Sequence, residues 1–354
     1  MKEYQKRLIN LIERLKTEGG SDLHLSVGVK PIVRVDGSLL PVSEEEVLSL
    51  QDLEAFLQIM VTEDKWQKFL QKKELDFAFQ TEDKTRFRGN AFVQKGTISI
   101  ALRLIPSQIR TIAELGLPPV LEEFARRQQG FFLVVGPVGQ GKTTTLAALV
   151  ELINQERAEH IVTIEDPIEY VFEPKQSLIA QREVGTDTDS FEDALRSAFR
   201  EDIDVLLIGE MRGAETMRAA VTAAETGHLV FSTLHTNDAA QTINRIIDSF
   251  PAEQQEQIRL QLAGALAGIF SQRLIPRIGG GLVPAYELLI ANKAVANLIR
   301  EKRTHEINTI IETGLKEGMI DMNRVLADLV AKGEISPENA YRFSTNTKAL
   351  DRLI

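Results

Sequence analysis

A chain of 354 residues with 43% apolar side chains is long enough to build two cores, so two domains are the default expectation. Its formal net charge of −10 argues against a surface made to neutralise nucleic-acid or lipid phosphates, and the lack of any cysteine excludes disulfides and Cys-rich zinc modules. Met1 to Lys16 mixes charged and apolar residues, and no stretch has the apolar length that spans a bilayer, so a soluble cytoplasmic protein is expected.

Leu8, Ile9, Leu11, Ile12 and Leu15 recur at helical spacing and Gly19-Gly20 ends the run, which predicts an amphipathic N-terminal helix. Leu23, Leu25 and Val27 then alternate with Asp22, His24 and Ser26, and a second strand through Val33 and Val35 turns at Asp36-Gly37. Glu54 to Lys72 reads as helical with a break near Thr62, whose hydroxyl is expected to cap the second piece. Further on, Arg86 and Arg88 flank Phe87, and Ile98, Ile100, Leu102 and Leu104 alternate with Ser99, Ala101 and Arg103. Each of these strands turns an apolar face one way and its arginines the other. Gathered arginines repel unless a carboxylate neutralises them or an anion is shared. With Asp76, Glu82 and Asp83 nearby, a solvated face and an arginine-finger role both stay open.

These elements make a first domain of residues 1–106. The segment 107–118, punctuated by Gly116 and Pro118, reads as a flexible linker, and residues 119–354 make the second domain. There the apolar runs Phe131 to Val135, Ile161 to Ile164, Val205 to Ile208 and Leu229 to Phe231 alternate with helical patterns, the signature of a parallel sheet covered on both faces. After Pro276 and the loop Gly279-Gly280-Gly281 the chain reads as mostly helical.

The residues with chemistry sit after those apolar runs. Gly136-Pro137-Val138-Gly139-Gln140-Gly141-Lys142-Thr143 is a full P-loop pattern between a predicted strand and a predicted helix. Its glycines let backbone N–H groups curl around phosphate oxygens and the helix N-terminus adds a favourable dipole. Lys142 is expected on the β and γ phosphates, the Thr143 hydroxyl on Mg²⁺, and Thr144 in the same first turn. ATP and Mg²⁺ are therefore the expected cofactors and ATP hydrolysis the expected reaction. The strand Asp204 to Ile208 leads to Glu210, the candidate general base. The aspartate that usually holds Mg²⁺ one residue earlier is replaced by Gly209, and Asp204 lies too far back along the strand. Glu165 and Asp166, at the end of another predicted strand, are the candidates to reach the metal through water, with a solvated turn before Pro167 the open alternative. His228 and His235 bracket a strand that separates them by about 23 Å, too far to share an ion. His235 is placed to sense the γ-phosphate, whereas His228 reads as a hydrogen-bonded structural histidine.

Taken together, these segments resemble the PilT family of type IV pilus retraction ATPases, within the hexameric secretion ATPases. Ser21 to Ser26 with Pro31 to Gly37 is similar to the family's opening, and Arg86 to Arg88 with Ala101 to Pro106 to its second strand block. Thr163 to Glu169 resembles its "Asp box", Gly209-Glu-Met-Arg212 its unusual Walker B, and Thr226 to Asp238 its "His box". Ala294 to Glu301 is similar to a segment characteristic of retraction ATPases, with Val295 and Ala296 departing from it, and Gln140 replaces the usual P-loop Ser or Thr.

The resemblance implies an α/β fold with an N-terminal PAS-like domain and a C-terminal RecA-like P-loop NTPase domain, assembled as a homohexamer. It implies nucleotide between the two domains, with Lys142, Glu165, Glu210 and His235 joined by the arginine contacts Arg88 and Arg103. The implied activity is an ATP-driven motor that retracts type IV pili for twitching motility by domain closure. It would act on a PilC-like platform protein at the cytoplasmic face of the inner membrane, held there through that partner only, with no nucleic acid. An accessory PilU-like retraction ATPase stays open, as does a pilus-assembly or type II secretion ATPase. The latter commonly carry a four-cysteine zinc module and a large extra N-terminal domain, neither of which is expected here. A nucleic-acid motor and a nucleotide-binding scaffold without turnover are the more distant alternatives.

Overall fold

The computed structural model describes residues 2–35, 37–105 and 108–354. The chain divides into two compact units, one reaching to Gln108 and including Pro167–Tyr170, the other comprising Ile109–Asp166 and Val171–Ile354. The expected turn residue Asp36 and the expected boundary residues Pro106 and Ser107 lie outside the described residues.

The first unit opens with α1 (Lys2–Thr17), which buries Leu8, Leu11, Ile12 and Leu15, the stripe its spacing predicts. Six strands follow, β1 (Asp22–Ser26), β2 (Ile32–Val35), β3 (Ser38–Pro41), β4 (Glu74–Gln80), β5 (Arg86–Gln94) and β6 (Thr97–Ile105), with α2 (Leu50–Met60) and α3 (Glu63–Lys72) between β3 and β4. They form one sheet in the order β3-β2-β1-β6-β5-β4, antiparallel throughout. Its apolar face, with Leu23, Leu25, Phe87, Ile100 and Leu102, packs in one core with α1, Phe56 and Phe69. A reciprocal cap starts α2: the Ser49 side chain accepts from Asp52 N, and Asp52 accepts from Ser49 N. Thr62 occupies the N-cap position of α3, but its side chain makes no capping hydrogen bond, contrary to the sequence expectation.

The second unit runs α4 (Leu121–Ala125), β7 (Gly130–Val135), α5 (Lys142–Glu156), β8 (His160–Glu165), β9 (Leu178–Glu183), α6 (Phe191–Ala198), β10 (Val205–Ile208), α7 (Ala214–Glu225) and β11 (Leu229–Leu234). It continues through α8 (Ala239–Asp248), α9 (Ala252–Ala265), β12 (Leu266–Pro276), β13 (Leu282–Ile290), α10 (Lys293–Arg300), α11 (Ile307–Thr313), α12 (Met322–Ala331), α13 (Pro337–Phe343) and α14 (Thr347–Leu350). The seven strands order β13-β12-β7-β11-β10-β8-β9. Both faces are covered, which is why β7, β10 and β11 are buried at every position. Phe131, Leu133 and Val135 join the core of α6 to α10, while Phe132 stacks on Phe124 of α4 with ring centroids 4.2 Å apart.

Two features depart from the sequence reading. β9 extends the parallel sheet beyond β8, and the chain after Pro276 is not mostly helical at once, since β13 returns antiparallel along β12. β12 follows α9 directly, Ala265 ending the helix and Leu266 opening the strand, with Gly264 and Gly268 on either side as the local signal of the change. Beyond β13, Met322, Leu326, Ala340 and Leu350 of the terminal helices close a smaller core over Ile275, Val283 and Ala285.

Candidate functional site

The strands β7, β8, β10 and β11 run parallel and release their following loops at one sheet end, where ligands collect in open α/β sheets. The P-loop leaves β7 there. Gly136, Gly139 and Gly141 take φ of 145°, 76° and 77°, values that L side chains rarely adopt. A Cβ on Gly136 would also stand 2.4 Å from Gln272 O. α5 starts from Gly141 with no side-chain capping hydrogen bond, and its N-terminus, the end whose dipole favours an anion, opens at the P-loop. Pro137 and Val138 form the exposed tip, with Val138 80% exposed. Gln140 has a partner the sequence did not reveal: its Oε1 accepts from Leu274 N at 2.7 Å.

Lys142 is only 7% exposed. Its Nζ donates to Gly136 O and Pro137 O, both at 2.8 Å, and to His235 Nδ1 at 3.3 Å. His235 Nε2 in turn lies 4.0 Å from Glu210 Oε2, and Arg212 pairs with the other Glu210 oxygen. Burial holds the His235 imidazole below its ordinary pKa, and the positive charge of Lys142 adds to that effect. Lys142, His235 and Glu210, from three separate segments of sequence, therefore converge. His228 does not join them: its Nδ1 bonds Ala223 O at 2.9 Å behind α7, the structural role its position suggested.

Glu165 ends β8 almost fully buried, accepting from the Thr163 hydroxyl at 2.7 Å and from Gln181 Nε2 at 3.3 Å. Thr163 was findable, because it stands two residues earlier on the same strand face. Gln181 was not, because β9 was not read as a strand. Gly209 bonds across to Ile164 O through its N–H at 2.8 Å, and a Cβ there would meet Ile164 O at 3.3 Å and Glu165 Cγ at 3.7 Å. An acid at 209 would therefore crowd Ile164 O and stand in direct contact with Glu165. Asp166 is exposed, and Asp204 sits at the far end of β10, accepting from His160 N at 2.8 Å.

In this second unit the residues fit a magnesium nucleotide: backbone donors and a lysine for phosphate oxygens, and the Thr143 hydroxyl as a hard ligand for the ion. Among the described residues no group of three or more His, Asp or Glu is arranged to hold a metal by itself.

Arg88 and Arg103 belong to the first unit and stand opposite each other across β5 and β6. Arg103 Nε donates to Asp22 Oδ1 at 2.9 Å, and Arg88 Nη1 lies 3.7 Å from Glu169 Oε1. The carboxylates nearer in sequence are engaged elsewhere, Asp83 with Lys16 and Asp76 with Asn90. Both partners of the arginines come from distant sequence, which is why spacing did not indicate them.

The family described as type II/IV secretion system protein matches residues 3–332. The chain is 46% identical to the type IV pilus retractation ATPase PilT of Pseudomonas aeruginosa over 91% of its own length and 94% of that protein. To the type IV pilus ATPase PilU of the same organism it is 38% identical, over 99% of this chain and 91% of that protein. A solved structure of the pilus retraction motor PilT with bound ADP superimposes with a TM-score of 0.91 at 46% identity, covering 96% of this chain and 98% of that one.

Proposed function

The chain belongs to the type II/IV secretion system protein family, and from that premise we propose that it is the ATP-hydrolysing motor that retracts a type IV pilus. The observation that carries the chemical part is the convergence of Lys142, His235 and Glu210 at the mouth of an uncapped α5. The PilT relatives, one of them solved with ADP, carry the biological part.

In this reading the first-turn N–H groups of α5 and the Lys142 ammonium bind the β and γ phosphates. Lys142 leaves its carbonyl partners in the P-loop for the phosphate oxygens, exchanging neutral acceptors for charged ones. Glu210 takes a proton from the attacking water, and His235, neutral in its partly buried place, orients toward the γ-phosphate side through Lys142. The Thr143 hydroxyl would hold Mg²⁺ directly and Glu165 or Asp166 would reach it through water, and the ion would supply positive charge to the phosphates. Arg88 and Arg103 supply the remaining positive charge once nucleotide draws the two units together, a closure that becomes mechanical work. The assembly is a homohexamer acting on a PilC-like platform protein at the cytoplasmic face of the inner membrane, and the outcome for the cell is twitching motility. A retraction role is preferred to a PilU-like accessory role on the higher identity to PilT.

Two variants test the chemical reading. Glu210→Gln is expected to bind ADP and ATP as the parent does while losing hydrolysis, and Lys142→Ala to lose binding as well. Turnover that survives in Glu210→Gln removes the glutamate from its role. For the biological reading, a deletion strain should keep surface pili and fail to withdraw them; a strain without pili would point to assembly.

A further inference from the structure

None of the motifs that mark the site comes from β12, yet the P-loop rests on that strand. Ser271 of β12 stands in register with Val135, the last residue of β7, so Gln272 to Pro276 continue alongside the loops beyond the sheet. Gln272 is 3% exposed and uses both ends of its amide: Oε1 accepts the Thr145 hydroxyl at 2.6 Å, and Nε2 donates to Gln140 O at 2.9 Å. Its own carbonyl fills the space beside Gly136 that any larger residue there would need. Gln140 answers with its side chain on Leu274 N at 2.7 Å. The strand neighbours of Gln272 alternate to the other side and hold the loop after β11. Ser271 Oγ donates to Asn237 O at 2.7 Å, and Arg273 Nη2 to Asn237 Oδ1 at 2.9 Å.

We propose that Gln272 is a positioning residue for the nucleotide site, fixing the curl of the P-loop against β12 while Ser271 and Arg273 fix the His235 loop against the same strand. The inference rests on the reading of the second unit as a nucleotide site. Lys142 and His235 can meet only if two loops from different strands keep one relation to each other, and one tripeptide bonds to both. A loop that must present several N–H groups to one phosphate loses affinity when its anchors go, because binding must then order it first. The buried amide is also costly to replace, since the Thr145 hydroxyl and the Gln140 carbonyl each lose a partner.

The test uses the full chain, with ADP affinity, steady-state ATP turnover and the thermal midpoint of the nucleotide-free protein measured together. Gln272→Met keeps the volume and removes both side-chain bonds. It is expected to raise the dissociation constant of ADP and the KM for ATP about tenfold, with kcat within about twofold and the midpoint lowered by the loss of the two buried bonds. Gln140→Ala, in the loop itself, is expected to weaken ADP in the same direction, and the double variant to bind no more weakly than the worse single one, because either loss frees the same loop. Should Gln272→Met fail to fold, Gln140→Ala decides. A lowered midpoint with unchanged ADP affinity makes Gln272 a packing residue only and overturns the proposal, as does unchanged affinity in both variants. A parent chain that does not bind ADP removes the nucleotide reading and the positioning role with it; parent binding with unaffected variants removes the positioning role alone.

Discussion

Lys142 Nζ donates to His235 Nδ1 at 3.3 Å, and because an ammonium has only donors, the imidazole proton is assigned to Nε2, the nitrogen 4.0 Å from Glu210 Oε2. The histidine is thereby an acceptor toward the P-loop and turns its N–H toward the candidate base, which at 4.0 Å stands beyond a direct hydrogen bond. One side chain reports on both.

His235→Ala is therefore expected to lower kcat by about ten- to a hundredfold while ADP affinity changes little. A second expectation concerns pH. Burial and Lys142 hold the imidazole below its ordinary 6.5, so its protonation, which would break the bond from Lys142, should reduce turnover only below pH 6.5. A pH–rate profile of parent and variant checks both, and an acid limb at 6.5 or above that vanishes with the histidine would contradict the assignment.

Gly209 is expected to resist restoration of the ordinary acid. Gly209→Asp sets a second carboxylate against the buried Glu165 and crowds Ile164 O, at a cost of about 2–3 kcal/mol. Calorimetry should show a midpoint several degrees lower, with no gain in Mg²⁺-dependent turnover. Gly209→Ala should be milder. An aspartate variant that is as stable and more active would show that Ile164 and Glu165 do not oppose an acid there.

Arg88→Ala and Arg103→Ala should each cut kcat at least tenfold while leaving ADP affinity within about threefold, since arginines that meet a developing charge act on the transition state. The Arg88 pair with Glu169 predicts little for stability, because such surface pairs contribute about 0–1 kcal/mol, whereas Arg103→Ala also takes a donor from the buried Asp22 and should lower stability more. Unchanged turnover would reduce both to a solvated face.

Glu287 offers a measurement independent of nucleotide. Buried at 7% exposure, with only the Ala239 N–H to favour its charge and with Asp238 and Asp321 opposing it, its carboxyl is pushed up from 4.5 to about 7. Between pH 4.5 and about 7 the folded chain keeps a proton that the unfolded chain has released, so stability falls as pH rises through that window and the loss is complete above it. The size is on the order of 3 kcal/mol. Denaturation across pH should show a flatter curve for Glu287→Gln, which can still accept from Ala239, and a variant stability above the parent at pH 8.

The α1 stripe, the apolar strands of the second unit and the P-loop were all legible in the sequence. Each is a local pattern: a periodicity of 3.6 or 2, or a loop whose conformation only glycine permits. The same locality made Thr163 visible beside Glu165. What no local pattern holds is which distant residues meet. Asp22 found Arg103 through antiparallel register, Gly209 came against Ile164 and Glu165 through the pairing of β8 with β10, and Gln272 reached the P-loop along a strand that continues directly from a helix. Sequence by itself determined which side chains could do chemistry on a triphosphate, because that depends on residue type and short spacing. Only the tertiary structure decided that Lys142, His235 and Glu210 stand within reach of one another, because strand order and register, set by packing over the whole sheet, bring their loops to one end.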